Sequence, residues 1–362
     1  MKISGRHYRT LWPTPEGTVG IIDQSRLPFE LVTRELSSWL VAAEAISTMA
    51  VRGAPLIGAT AAYGIALAMR SEPSDAQLEV AERGLKATRP TAHNLAWALA
   101  RMRRVLAPRP PPERAAAAAS EAARICEADV EQCRSIGRHG CELIRRLARP
   151  GIVLNVLTHC NAGWLACIDW GTALAPVYTA HDEGIRLHVW VDETRPRNQG
   201  AALTAFELAA HGVPHTVIAD NLGGHLMQRG AVDLVLVGAD RVTASGDVCN
   251  KVGTYLKALA ARDNRVPFYA ALPASTIDWS LARGEDIPIE ERSGSELTHM
   301  TGWGARGGWE SVRVVPESSP VLNLAFDVTP ARLVTGLITE RGISPASREA
   351  LRALYPDAER AA

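Results

Sequence analysis

The 362-residue sequence contains few cysteines and carries no net charge. Its six cysteines form no CxxC pair, which excludes both a redox motif of that kind and the disulfide framework of a small secreted protein. Lysine plus arginine and aspartate plus glutamate each total 39, so no strong overall field draws the chain to nucleic acid or to an anionic membrane. We therefore expect reduced thiols in a cytoplasm, no nucleic-acid partner, and a charged ligand that is met by local groups.

Long hydrophobic runs are missing as well. No segment reaches the ~20 apolar residues of a membrane-spanning helix, and residues 1–18 lack the apolar core of a signal peptide. Neither a glycine-rich dinucleotide fingerprint nor a nucleophile elbow is present. These absences argue against a membrane protein and a nicotinamide dehydrogenase. We expect neither a metal nor a redox cofactor.

The first 148 residues have the composition and periodicity of helices. Alanine, leucine and arginine are dense in this half, and these residues favour helix. Because single hydrophobic cores usually stop growing at about 250–300 residues, a chain of this length is expected to form two domains. We predict that residues 1–148 form a mainly helical domain with short strands around Val19–Ile22. Its predicted helices are Leu36–Ala50, Leu56–Arg70, Asp75–Ala87, Ala92–Val105 and Pro112–Leu147.

From residue 149 to residue 362, short apolar runs alternate with amphipathic segments. This alternation predicts right-handed βαβ units and a Rossmann-like, doubly wound parallel sheet, so the fold class is α/β. The predicted strands are Ile152–Leu157, Leu187–Val191, His215–Ile218, Val232–Val237 and Pro267–Leu272. The predicted helices are Gly163–Glu183, Gln199–His211, Asn221–Arg229, Asn250–Asp263 and a final one at Val328–Ile338. Before the last of these, the Gly-, Ser- and Trp-rich segment Ile289–Pro320 is predicted to be a hairpin or an extended excursion.

Reactive or charged side chains follow four of the predicted strands. Ligands of open parallel sheets bind outside the carboxyl ends of the strands, so these loops are candidates for a site. Cys160 follows the first strand, ahead of a predicted helix N-terminus that would stabilise a thiolate. Asp240 follows the fourth, where an apolar crevice would raise the pKa of its carboxyl. The alternatives are a small residue in a tight turn for Cys160, and a helix cap or a partner of Arg241 for Asp240.

Two other kinds of site involve the histidine next to Cys160. His159 and His181 suggest a metal site with Cys160, but no ligand spacing supports it and neighbouring residues cannot easily face one ion. A Cys-His-Asp hydrolase is a second alternative, which the missing nucleophile elbow disfavours.

Three segments combine a cationic side chain with a predicted helix start. Arg52 and Gly53 precede one helix, Arg89 precedes another, and Asn250 with Lys251 begins a third. A guanidinium beside the free backbone N–H groups of a helix N-terminus suits an anion such as phosphate. Each arrangement taken singly is also ordinary at a helix boundary.

Together these segments resemble the methylthioribose-1-phosphate isomerase family. The blocks that carry the resemblance are Val51–Pro55, Arg89–Ala92, Thr158–Gly163, Val191–Pro196, Val237–Arg241, Gly246–Tyr255, Ile287–Arg292 and Ala325–Pro330. The resemblance implies a homodimeric aldose-ketose isomerase of methionine salvage that acts on a sugar phosphate, with a helical N-terminal and a Rossmann-like C-terminal domain. It implies catalytic roles for Cys160 and Asp240. The substrate-binding positions that it implies are Arg52, Gly53, Ala54, Arg89, Gln199, Asn250 and Lys251.

The same family resemblance leaves two alternatives open. The fold is shared with archaeal ribose-1,5-bisphosphate isomerases and with regulatory subunits of a translation initiation factor's exchange complex. An isomerase of ribose 1,5-bisphosphate or of 5-deoxyribose 1-phosphate is therefore one alternative, and a regulatory subunit, which needs neither Cys160 nor Asp240, is the other. Departures from the commonest pattern at Asn221–Gly224 and Asn323–Leu324, and a longer Trp-rich hairpin, leave the substituent on C5 of the sugar open among methylthio, hydrogen and hydroxyl. A pocket distinguishes such groups by a few contacts, and one methylene is worth only about 1–3 kcal/mol.

Overall fold

The computed structural model describes residues 1–3 and 5–357. The chain begins with two short antiparallel sheets, and the predicted strand at Val19–Ile22 is confirmed. The strands are β1 (Lys2–Ile3), β2 (Arg6–His7), β3 (Leu11–Pro13), β4 (Val19–Ile22) and β5 (Thr33–Leu36).

Five helices follow, as predicted. They are α1 (Trp39–Ser47), α2 (Ala54–Ser71), α3 (Asp75–Thr88), α4 (His93–Leu106) and α5 (Pro111–Leu147). Ser38 and Ser74 cap the first turns of α1 and α3 with their side-chain oxygens. The side chains of α2 are almost all buried, and its neighbours α4 and α5 pack against it to form the first hydrophobic core.

After residue 150 strands and helices alternate. The strands are β6 (Leu154–Thr158), β7 (Leu187–Asp192), β8 (His215–Ile218), β9 (Leu234–Val237), β10 (Arg241–Thr243), β11 (Val248–Lys251), β12 (Phe268–Ala271), β13 (Ile277–Asp278), β14 (His299–Trp303), β15 (Trp309–Arg313), β16 (Phe326–Thr329), β17 (Gly336–Thr339) and β18 (Gly342–Ser344). The helices are α6 (Leu174–Asp182), α7 (Ala205–His211), α8 (Leu222–Gln228), α9 (Thr254–Asp263), α10 (Ser295–Thr298) and α11 (Arg348–Leu354).

The main sheet has the strand order β18-β17-β12-β9-β6-β7-β8. All of its neighbouring pairs are parallel except β17 with β18 at one edge. The predicted α/β fold with a doubly wound sheet is therefore confirmed. The order of the strands reverses between β6 and β9, and such a switch point opens a crevice at the carboxyl ends of the two strands.

The final helix predicted over Val328–Ile338 is wrong. These residues form the end of β16, a 3-10 turn at Ala331–Leu333 and most of β17. Every residue of β17 is buried, because the strand pairs with β12 inside the sheet. A fully buried strand has no alternation of polar and apolar residues, so periodicity alone does not separate it from a buried helix.

Two other predicted helices start later than expected. The segment from residue 163 to residue 173 is a 3-10 turn at Trp164–Ala166 followed by irregular chain, and α6 begins at Leu174. The helix predicted from Asn250 begins at Thr254, because β11 extends to Lys251 and Gly253 has a φ of 104°. Such a positive φ suits glycine and separates the strand from the helix.

The Trp-rich excursion is a two-stranded hairpin, as predicted. Strands β14 and β15 pair antiparallel, with Trp303 opposite Trp309. Within the described residues, no helix is long and apolar enough to cross a membrane. The division of the chain into two domains near residue 149 stays a prediction.

Candidate active site

A cavity lies beyond the carboxyl ends of β6 and β9, at the switch point of the sheet. Its volume is ≈ 70 Å³. Every site residue predicted from the sequence lines it: Arg52, Gly53, Ala54, Arg89, Cys160, Gln199, Asp240, Asn250 and Lys251. These residues come from both halves of the chain, so the helical half closes the cavity over the sheet.

Cys160 lies in a backbone conformation that is rare for a residue with a side chain. Its φ is 66°, in the left-handed region. The backbone N–H of Cys160 donates to Thr194 Oγ1 at 2.8 Å, and its carbonyl accepts from Thr204 Oγ1 at 2.8 Å. The Sγ of Cys160 donates to Gln199 Oε1 at 3.6 Å. These three contacts fix where the thiol points, and such strained residues cluster at functional sites.

The thiol of Cys160 is neutral in this environment. Burial raises its pKa, and the nearby charges of Arg52 and Lys251 oppose that shift without reversing it. The prediction of a thiolate stabilised by a helix N-terminus is therefore wrong, because the chain after Cys160 leads into a 3-10 turn and not directly into α6. A neutral thiol can donate a proton, but it must lose that proton before it can accept another.

Gln199 reaches Cys160 from a distorted stretch of helix. The predicted helix from Gln199 to His211 begins with a π-helical turn at Gly200–Thr204 and continues as α7. A Cβ atom on Gly200 would collide with the carbonyl oxygen of Asp192 at the end of β7. Glycine therefore allows this turn to pack against the strand end, and π-helical turns are frequent at functional sites.

The carboxyl group of Asp240 lines the cavity and is buried there. Burial raises its pKa, while the charges of Lys251, Arg89 and Arg52 act in the opposite direction. Arg241 does not neutralise it, since Arg241 lies 3.3 Å from Asp278 Oδ2. Asp240 precedes a strand and not a helix, so neither structural alternative from the sequence describes it.

The three cations of the cavity are held in different ways. Arg52 donates through Nη2 to the carbonyl oxygen of Asn161 at 2.8 Å, next to Cys160. The ammonium of Lys251 lies 4.7 Å from the centre of the Phe326 ring, and burial lowers its pKa. Arg89 donates to Glu290 Oε2 at 3.2 Å through Nε and at 2.5 Å through Nη2. Three cationic side chains in one cavity can bind a dianion such as a phosphate group.

Glu290 is the main ionisable residue of the cavity that the sequence analysis left without a role. Burial alone would raise its pKa, but the charges and hydrogen bonds of Arg89 and Arg292 outweigh burial and lower it. Glu290 is therefore ionised and holds the Arg89 guanidinium within the cavity. It lies in a block that the resemblance includes, but its partner is 201 positions away.

His159 has a structural position below the cavity. Its ring nitrogens lie 2.9 Å from Asp192 Oδ2 and 2.9 Å from the carbonyl oxygen of Val252. Lys257 adds an ion pair of 3.0 Å with Asp192. Both nitrogens are engaged, so His159 neither binds a metal with Cys160 nor acts as its base. His181 packs near His211, at 6.0 Å between ring centroids, and is not part of the cavity wall.

Sequence reasoning also missed part of the cavity wall. Further lining residues are Met49, His93, Cys167, Glu290 and Phe326. Only Glu290 and Phe326 lie in blocks that carry the family resemblance. Met49 lies between α1 and α2 with a left-handed φ of 61°, and the sequence around it does not predict this conformation.

Comparisons with known proteins identify the family that the chain resembles. The model of the Initiation factor 2 subunit family matches residues 50–346. The chain is 65% identical to a methylthioribose-1-phosphate isomerase of Methylobacterium nodulans, over 100% of both chains, and 64% identical to one of Rhodospirillum centenum, over 100% of this chain and 98% of that relative.

Two solved structures have a similar fold. A 5-methylthioribose 1-phosphate isomerase from Pyrococcus horikoshii OT3 superposes with a TM-score of 0.82 at 40% identity, covering 97% of this chain and 96% of that chain. A structure described as translation initiation factor eIF-2B, subunit delta, from A. fulgidus has a TM-score of 0.78 at 38% identity, covering 96% and 99%.

Proposed function

Because the chain belongs to the Initiation factor 2 subunit family, with isomerases among its relatives, we propose that it converts 5-methylthioribose 1-phosphate into 5-methylthioribulose 1-phosphate, an aldose-ketose isomerisation of methionine salvage. The observation that carries this proposal is the convergence of a buried acid with a raised pKa, Asp240, and a buried thiol, Cys160, on a cavity that also holds three cations. Neither a metal nor a redox cofactor is part of the proposed chemistry.

The substrate dictates the first step. Its anomeric oxygen carries the phosphate, so the sugar is locked as a ring and offers no free aldehyde for enolisation. The ring must open first, and the leaving ring oxygen needs a proton. Protonated Asp240 donates that proton as the bond between C1 and the ring oxygen breaks. Burial of Asp240 keeps this proton available at a pH where an exposed aspartic acid has lost it.

Hydrogen then moves from C2 to C1. In the proton-relay route, the thiolate form of Cys160 takes the proton from C2, and the resulting thiol returns it to C1 through an enediol-like species, while Gln199 orients the sulfur. The C2 hydroxyl gives its proton back to the carboxylate of Asp240 as the ketone forms. In a hydride-shift route, hydrogen passes directly between the carbons and Cys160 only shapes the site. Solvent deuterium at C1 of the product supports the relay, and its complete absence supports the hydride shift.

The phosphate is bound by the cations and by a helix N-terminus. Gly53 and Ala54 begin α2, whose first backbone N–H groups are free to bind an anion. Arg52 lies on the same segment, and Arg89 and Lys251 also line the cavity. Gly53 has a φ of 96°, and a Cβ atom there would lie 2.5 Å from Ala166 Cα, so glycine is required for the start of α2 to pack against the turn at Trp164–Ala166.

Conversion of the sugar phosphate by purified protein tests the proposal. Product formation from 5-methylthioribose 1-phosphate, followed by NMR, should occur with the wild-type chain. The variant Asp240→Asn should lose orders of magnitude in kcat while its folding and its affinity for substrate persist. Wild-type turnover by Asp240→Asn would contradict the assigned role.

A non-enzymatic regulator is the second candidate, because one structural relative is described as an initiation factor subunit. A regulator would bind sugar phosphate or nucleotide without turnover. Cys160 and Asp240 are of no use for that role, so the enzyme is the better supported function. A side-by-side measurement of kcat/KM for methylthioribose, 5-deoxyribose and ribose 1-phosphates separates the two candidates and ranks the substrates.

We further propose a homodimer in a cytoplasm, without a nucleic-acid partner. The balanced charge and the six free, buried cysteines are consistent with this setting. Exposed apolar side chains lie on and just before α9 and on the segment before β16, as a subunit interface requires. They are Val252, Leu256, Leu259, Val321, Leu322 and Leu324.

We also propose that the chain divides into a helical domain, residues 1–148, and a Rossmann-like domain that begins at residue 149.

A further inference from the structure

Glu207 is a buried carboxylate that the proposed mechanism does not use. It lies on α7, the residue is 1% exposed, and it does not line the catalytic cavity. Taking a carboxylate out of water costs free energy unless new hydrogen bonds replace those of the lost water molecules. The partners of Glu207 therefore show what its charge holds in place.

Four hydrogen-bond donors surround the carboxylate of Glu207. Its Oε1 accepts from Asn161 Nδ2 and from the backbone N–H of Leu165, both at 2.9 Å. Its Oε2 accepts from the backbone N–H of Trp164 and from the hydroxyl of Tyr178, both at 2.8 Å. Burial raises the pKa of Glu207, and hydrogen bonds from all four donors oppose this shift. Three of the donors are N–H groups that cannot accept a proton, so the arrangement suits an ionised carboxylate.

The segment 161–165, which directly follows Cys160, supplies three of these donors. Two of them are the first backbone N–H groups of the 3-10 turn Trp164–Ala166, and N–H groups at the start of a helical turn have no partner within it. A Cβ atom on Gly163 would lie 1.8 Å from Glu207 Oε2, so glycine lets the segment close on the carboxylate. Glu207 therefore attaches this segment to α7.

Asn161 connects Glu207 to a cation of the catalytic cavity. Its side-chain oxygen accepts from Arg52 Nη1, its backbone carbonyl accepts from Arg52 Nη2 at 2.8 Å, and its amide nitrogen donates to Glu207. A carboxylate on one side of an amide polarises it and strengthens the hydrogen bond on the other side. The charge of Glu207 thus supports the guanidinium of Arg52 through Asn161.

We propose that Glu207 is a positioning residue for the isomerisation. Its carboxylate holds the segment 161–165 and, through Asn161, the guanidinium of Arg52, so that the thiol of Cys160 and a phosphate-binding cation keep a fixed separation. This inference rests on the proposed function, since Cys160 and Arg52 have their roles from it. Glu207 itself acts only through these residues, because it does not line the cavity.

Glu207→Gln tests the proposal, because it keeps the shape of the side chain and replaces one acceptor oxygen with an NH2 group that faces N–H donors in either orientation. With 5-methylthioribose 1-phosphate, kcat should fall by roughly tenfold or more, since buried donors are left unpaired. Inorganic phosphate, used as a competitive inhibitor, should bind more weakly because Arg52 is no longer held. Iodoacetamide should alkylate Cys160 faster than in the wild type, read by mass spectrometry of its peptide, because the loosened segment exposes the thiol.

Glu121→Gln is the matched control. Glu121 is also a buried carboxylate, which accepts from Arg101 Nε at 2.6 Å and pairs with Arg124 at 3.0 Å, but it lies on α5 and does not line the cavity. It should lower the midpoint of urea unfolding and leave kcat and the alkylation of Cys160 at their wild-type values. Equal losses of kcat in the two glutamine variants would show a purely structural role and overturn the proposal.

Two further results would overturn it: a kcat of Glu207→Gln within about threefold of the wild type, or a lower kcat with unchanged phosphate affinity and unchanged alkylation of Cys160. If Glu207→Gln does not fold, Asn161→Ala breaks the same link from its other end, and wild-type kcat and phosphate affinity in that variant would overturn the proposal. If the wild type converted no sugar phosphate, the proposed function would fail, while phosphate affinity and Cys160 alkylation would still decide whether Glu207 positions these groups.

Discussion

Thr194 fixes the backbone of the proposed catalytic cysteine. Its hydroxyl accepts from the N–H of Cys160 at 2.8 Å and donates to the carbonyl of Asp192 at 3.0 Å. Cys160 has a left-handed φ of 66°, which needs such support because a Cβ disfavours it. Thr194 itself is wholly buried. The hydroxyl is therefore a positioning group for the thiol.

Replacing Thr194 by valine should separate this role from packing. Thr194→Val keeps the shape but leaves the buried N–H of Cys160 unpaired, at a cost of about 1–3 kcal/mol in unfolding free energy. We expect kcat to fall at least tenfold with little change in KM, measured by steady-state kinetics beside urea unfolding. Thr194→Ser, which keeps the hydroxyl, should recover most of kcat. A valine variant with normal kcat would contradict the positioning role.

The alkaline limb of the kcat/KM profile depends on Asp240. Asp240 acts in its protonated form, and burial raises its pKa. Activity is therefore present below this raised pKa and is lost as the pH rises through it. The charge of Lys251 lowers the pKa of Asp240, so Lys251→Met should move the alkaline limb of the profile to higher pH, besides weakening phosphate binding. A limb that moved to lower pH would rule out this electrostatic description.

At this scale, the sequence predicted the residues that follow strands and missed those that act through distant partners. Cys160 and Asp240 were accessible because parallel strands bring their carboxyl ends to one edge. The ionisation of Cys160 was predicted wrongly, since burial and not a helix N-terminus sets its pKa. Glu290 was missed because its effect depends on Arg89, 201 positions away.

Elements with periodic patterns were predictable, and fully buried ones were not. Helix α5 combines alanine with a clear apolar face, and its predicted and observed bounds nearly coincide. Strand β17 is buried on both faces, so its apolar run was taken for part of a helix. Strand β11 was missed because Asn250 and Lys251 do not resemble strand residues. Pairing with β10 and β16 on either side holds them in a strand.

The contact between α5 and α6 depends on a glycine. A Cβ atom on Gly140 would collide with the ring of Pro176 in α6. Gly140→Ala should therefore destabilise the chain by about 1–3 kcal/mol, although alanine favours helix. Gly224→Ala in α8 is the matched control, because its nearest contact would be an ordinary 3.7 Å, and it should stabilise by up to ~1 kcal/mol. Equal effects in urea unfolding would contradict this packing.

At the scale of the whole molecule, the exposed apolar side chains on α9 and before β16 predict that the chain forms a dimer. Leu256 and Leu322 are 65% and 66% exposed in the single chain, an unusual state for large apolar side chains in a cluster. Sedimentation should give a dimer for the wild type and a monomer for Leu256→Glu. Val80→Glu, on the exposed side of α3, should stay dimeric. A monomeric wild type at micromolar concentration would refute the proposed interface.

The architecture of the whole molecule explains why acid, thiol and cations meet. The switch point of the sheet brings the ends of β6 and β9 together, and the segment before α2 and the end of α3 cover them with Arg52 and Arg89. This cover removes water, which raises the pKa of Asp240, and it supplies cations for the phosphate. The proposed reaction needs both effects in the same cavity.

The ionisation state of Asp240 is the most direct test of this account. With ¹³C-labelled aspartate, the carboxyl signal of Asp240 is identified by its loss in Asp240→Asn and is then followed as a function of pH. The account predicts that the signal keeps the position of a protonated acid well above 3.8, the ordinary pKa of the group. A carboxyl that titrates at or below that value would contradict acid-assisted ring opening by Asp240.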